Sequence, residues 1–139
     1  MTHIEYFKCQ AKNLFKDYKT QSPCDDDELI DYKYDPKFFD IDGIIVDYDL
    51  DEENLSLMKL QHIIALMIGF EKWADLLKAS EAELELAKLL FDNQDKIHLE
   101  DWRMFYGGYD VDIQLDIFKE IILNDDERHS PFPDYRLSR

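Results

Sequence analysis

The chain has 139 residues, enough for one domain of ordinary size, and at 45% apolar content it is too hydrophobic for a disordered acidic polymer. Its formal charge of −16 excludes the basic footprint of a direct nucleic-acid binder and disfavours anionic membrane surfaces. With only four glycines and no Gly-x-Ser-x-Gly, neither a phosphate-cradling loop nor a nucleophile elbow is present.

In chain order, residues 4–19 predict an amphipathic helix, with Ile4, Phe7, Ala11, Leu14, Phe15 and Tyr18 at steps of three and four. Lys8, Lys12, Lys16 and Lys19 run beside this stripe, so a pairing of the lysine face with the acidic stretch at 21–55 is expected. Gln21-Ser22-Pro23 ends the helix. An acidic belt follows. Residues 21–55 hold thirteen carboxylates against Lys33 and Lys37, a net charge of −11. Phe38, Phe39 and Ile41 are the expected anchors of the belt to the core. Residues 44–51 alternate, with Ile44, Val46, Tyr48 and Leu50 facing one way and Asp47, Asp49 and Asp51 the other. That pattern predicts one extended segment.

Asn54 or Ser56 can cap a helix running to about Ile68, and Gly69 fits its left-handed end. A short helix over 71–78 is expected next. Ser80-Glu81-Ala82-Glu83 is a capping box that opens a helix to about Asp92. Residues 98–106 predict another helix, closed by Gly107-Gly108. Asp110 can cap a last one with Val111, Leu115, Phe118 and Ile122 on its apolar face. The tail, 125–139, holds Pro131 and Pro133 and is expected to be extended or mobile. The expected fold is therefore mainly α: a single domain, 1–139, forming a compact bundle of about five to seven short helices, with one extended segment at 44–50.

The stretch Leu55-Ser56, then Ile64-Ala65-x-x-x-Gly69-Phe70-x-x-Trp73-x-x-Leu76, resembles the signature of a small bacterial helical domain associated with glyoxalase-superfamily proteins. Ala11-Lys12-Asn13-Leu14 stands where that family has an early helix. The resemblance covers about 8–19 and 55–78, and it implies that the belt, 21–55, is an acidic insertion into a helical scaffold. The motif is structural and implies no catalytic residue: the glycine ends a helix, and Phe70, Trp73 and Leu76 turn back into the core.

Several chemistries are suggested by residue type. Asp40-x-Asp42-Gly43 fits EF-hand positions three, five and six, with Ile45 at the apolar site. Phe38 would then occupy position one and Asp49 position twelve, which makes Asp40, Asp42 and Asp49 a poor ligand set. The frame starting at Asp47 has Glu52 where the loop needs glycine. On a strand, Asp47, Asp49 and Asp51 would stand about 6.6 Å apart, about half the charge density of one DNA strand. His3, His62, His98 and His129 have no metal-ligand spacing, and His62 reads as a partly buried core or interface histidine. Cys9 and Cys24 form no cluster and read as reduced thiols of a cytosolic protein. No signal-like segment opens the chain, and the longest apolar run, Ile63 to Ile68, is far short of the roughly 18 residues of a membrane span. Phe105-Tyr106-Gly107-Gly108-Tyr109 is a candidate partner contact.

The sequence thus favours a non-enzymatic interaction or inhibitory module that needs no cofactor and sets an acidic surface against a basic protein. Its candidate contacts are Asp25, Asp26, Asp27, Glu28, Asp47, Asp49, Asp51, Glu52 and Glu53. A small-molecule or divalent-ion binding accessory domain is the alternative. A hydrolase using belt carboxylates is a third.

Overall fold

Side-chain caps set most of the helix starts in the computed structural model, which describes residues 1–23, 32–124 and 134–137. Thr2 and Glu5 form a reciprocal capping box that starts α1, His3–Tyr18. Phe7, Ala11 and Leu14 of α1 are fully buried. The chain then forms a two-residue antiparallel hairpin, β1 (Ser22–Pro23) with β2 (Tyr32–Lys33), in which Ser22 pairs with Lys33.

The segment expected to be extended at 44–50 is instead largely helical: α2 spans Ile41–Asp47. The helical period won over the alternating one. Ile41, Ile44 and Ile45 share the buried face, while Val46, which alternation would turn inward with Ile44, is 76% exposed. Asp40 caps this helix by accepting from the Gly43 N–H at 3.2 Å. Four alternating residues are too few to exclude a helix, and the local cap decides.

Ser56 caps α3, Leu57–Met67, through the Lys59 N–H. Gly69, at φ +96°, ends it. Phe70 N–H bonds to Ala65 O and Gly69 N–H to Leu66 O, the two bonds of a Schellman motif. Next come α4 (Trp73–Lys78) and α5 (Glu81–Asp92), the latter with the expected Ser80/Glu83 capping box. Then α6 (Leu99–Tyr106) and α7 (Val111–Ile117) follow, and a π-helical turn, Phe118–Ile122, extends α7.

Helix α5 divides two cores. Its Leu84, Ala87 and Phe91 join α1, α2, α3 and α4 around Phe7, Phe39, Ile64 and Leu76. Its Leu86 and Leu90 join Trp102, Leu115, Phe118 and Ile122. The Trp102 indole N–H donates to Gln114 Oε1 at 2.8 Å, which satisfies its polar edge inside the second core.

The described part of the tail is docked. Arg136 pairs with Phe39 as a β-bridge, and Leu137 N–H donates to Phe38 O. The Arg136 guanidinium is buried, 4.4 Å from the Phe91 ring centre and 3.3 Å from Asp92 Oδ1. Among the described residues no helix is long and apolar enough to cross a membrane.

Candidate functional site: an acidic groove and a mixed cleft

The belt is tied to α1, though not by lysine. Among the described residues, Lys8, Lys12, Lys16 and Lys19 make no ion pair; Lys19 lies over the Phe15 ring. The anchor is Asp17, buried at 2% exposure. Its carboxylate accepts from the N–H groups of Lys37, Phe38 and Phe39 at 2.9, 3.0 and 2.8 Å. A negative charge in the last turn of a helix opposes the helix dipole, so these donors supply the compensation. A run of phenols and amides secures the far end of the belt. Tyr18 Oη and Gln21 Nε2 both donate to Glu52 O, Tyr34 Oη donates to Glu52 Oε1, and Tyr32 Oη to Glu53 Oε1. Burial, aided by Glu52, raises the Tyr34 hydroxyl well above the ordinary phenol range, so it stays a donor.

With α2 running to Asp47 and a turn following it, Asp47, Asp49 and Asp51 do not share a strand face, and the charge-density argument built on that face falls with it. Asp47 accepts from Tyr135 Oη at 2.5 Å. Asp49 holds a left-handed backbone at φ 51°, which aspartate tolerates better than most residues. Asp51 Oδ1 accepts from the Glu53 N–H. Asp42, Asp47, Asp49, Asp51 and Glu53 are exposed, and Glu52 is half-buried. Asp25, Asp26, Asp27 and Glu28 lie outside the described residues. Asp40 serves as the cap of α2, and among the described residues no three His, Cys, Asp or Glu side chains gather to hold a metal.

Beside the acids, the 49–55 turn and α3 enclose a groove of about 470 Å³. Leu50, Leu55, Met58 and Ile63 form its apolar surface, and Asp49, Asp51, Lys59 and His62 edge it. Met58 is 78% exposed. His62, expected to be partly buried, is exposed on α3 and belongs to this edge, one step off the buried Ile63–Ile64 face. Lys59 Nζ is held on Asn54 O at 2.8 Å.

A second recess, about 280 Å³, lies where the α3–α4 turn meets α5 and α6. Leu66, Met67, Phe70 and Leu90 give it an apolar body, and Gln94, His98 and Arg103 give it polar groups. Arg103 Nη2 donates to Gly69 O at 2.5 Å. A Cβ on Gly69 would come within 2.8 Å of that nitrogen, so glycine lets the guanidinium lie on the turn. His98 caps α6 by accepting from Glu100 N–H at Nδ1. Burial lowers its pKa, against the opposing pull of Asp101, Glu100 and Asp47. Tyr48, on the same recess, is pushed up to about 12 by burial and by Asp47.

No local pattern announced Gln94, Arg103 or Asp17, because their partners are remote in sequence. In the aromatic turn, Phe105 and Tyr109 are 65% and 53% exposed, whereas Tyr106 packs on Trp102 with ring centres 4.5 Å apart. The fold and these recesses define a mainly α-helical bundle of seven short helices and one small hairpin among the described residues. Compared with protein-family models, with curated proteins and with solved structures, the chain has no match in any of the three.

Proposed function

We propose that this is a non-enzymatic cytosolic interaction module whose 49–63 groove receives a basic amphipathic helix from a partner protein. The groove carries the reading. It sets an apolar surface, with Met58 78% exposed, beside exposed Asp49 and Asp51. Methionine and leucine adapt to apolar side chains along one face of a helix, while acids flanking them select lysine or arginine on its other positions. The whole-chain charge of −16 adds long-range attraction for such a partner. Kinship with the helical domain named from the sequence is part of the same reading, supported by left-handed Gly69 and by the core position of Leu76.

The test is fluorescence anisotropy with a labelled Leu/Lys amphipathic helix and its Leu/Glu counterpart. The Leu/Lys helix should bind with Kd of about 10 μM or below. Met58→Asp should weaken it about tenfold, as truncation of a central contact does. Asp49→Asn with Asp51→Asn should weaken it and flatten its salt dependence. Equal binding of the Leu/Glu helix, or unchanged binding by Met58→Asp, overturns the assignment.

A further inference from the structure

We propose that the recess around Gly69 is a binding site for a small monocarboxylate with an aliphatic body. This site shares no lining residue with the 49–63 groove.

One buried donor lacks a partner, and one exposed guanidinium beside it is largely uncommitted to protein. Gln94 is nine-tenths buried and lines the recess. Its Oε1 accepts from Tyr135 N–H at 3.2 Å, which fixes the amide orientation, because a donor faces the oxygen. Nε2 is then the buried end, and among the described residues it has no hydrogen-bond partner. Buried donors without partners are rare, and each calls for a group to meet it. The second donor is Arg103. It is exposed, and among the described residues it gives one side-chain hydrogen bond, to Gly69 O, and makes no ion pair, in a chain with 32 carboxylates. A guanidinium carries five N–H groups in a planar fork suited to a carboxylate, so most of its donor capacity is uncommitted.

The remaining walls set the rest of the ligand. Leu66, Met67, Phe70 and Leu90 suit a branched aliphatic body. Glu71 and Glu100, exposed at the edge, repel a second carboxylate and so select a monoanion. At about 280 Å³ the recess suits a metabolite smaller than a drug-sized molecule.

The probe is 4-methylpentanoate, with 4-methylpentanamide and 4-methylpentan-1-amine as matched controls at constant ionic strength. The readout is the ¹⁵N–¹H spectrum of the full chain, which reports the Gln94 side-chain amide, Arg103 Nε–H and Gly69 N–H separately. The carboxylate should shift all three saturably with Kd near about 1 mM or tighter, as expected for so small a ligand. Arg103→Gln, an exposed substitution that leaves both cores intact, should weaken it about tenfold, and the amide should bind wild type correspondingly more weakly. No saturable shift up to about 20 mM, equal binding of carboxylate and amide, stronger binding of the amine, or unchanged affinity in Arg103→Gln each overturns the proposal.

Discussion

Replacing Asp17 by alanine tests whether the 37–39 segment of the belt is held to α1 by a single carboxylate. The wild-type side chain is 2% exposed and accepts three backbone N–H bonds between 2.8 and 3.0 Å. Hydrogen bonds to a charged group contribute about 1.5–3 kcal/mol each. Three on one carboxylate do not add fully, and the helix dipole subtracts about 0.3–1 kcal/mol. Alanine also strands the donors, of which Phe39 N–H is buried. The expected loss is about 3–5 kcal/mol, a large share of a typical domain's stability. Urea unfolding followed by circular dichroism measures it. The midpoint should fall, and the Lys37, Phe38 and Phe39 amides should lose hydrogen-exchange protection more than those of α5. A loss under about 1 kcal/mol, with those three amides still protected, would refute this account of the belt.

Three further outcomes follow from the same structure. Gly69→Ala should cost about 1–2 kcal/mol by thermal unfolding, because φ +96° strains a Cβ residue and the new Cβ meets Arg103. Arg136→Ala should cost about 2–4 kcal/mol by urea unfolding, through lost packing on Phe91 and Phe39 and a weakened Asp92 environment, since the described tail is docked. His98 has a folded pKa below its unfolded value, so the unfolded state binds its proton first and stability is lost as pH falls below the unfolded pKa of about 6.5. The stability difference between wild type and His98→Asn, which keeps a capping side chain, should therefore move against wild type on acidification from pH 7.5 to about 5.

Local chemistry made much of the bundle legible in advance. Capping residues such as Ser56, Ser80 and Glu83, and the left-handed glycine at 69, act within four residues of themselves, so their meaning survives without tertiary context. The 41–50 segment misled because Ile44, Val46, Tyr48 and Leu50 alternate while Ile41, Ile44 and Ile45 fit a helix, and only packing and the Asp40 cap decide between them. The acidic composition drew attention to 21–55, but gave no sign of the groove, which forms only when the 49–55 turn meets α3. Asp17, Gln94 and Arg136 were invisible for a related reason. Each is a buried polar group hydrogen-bonded to backbone 20 to 45 residues away, and sequence periodicity carries no trace of such pairings.

The most direct measurement is a ¹⁵N–¹H map of where the Leu/Lys amphipathic helix lands on the full chain. The account predicts saturable shifts concentrated at residues 49–63, including Leu50, Met58 and His62, with α6 and α7 unmoved. Shifts spread evenly over exposed acids, or centred on Phe105 and Tyr109, would contradict it.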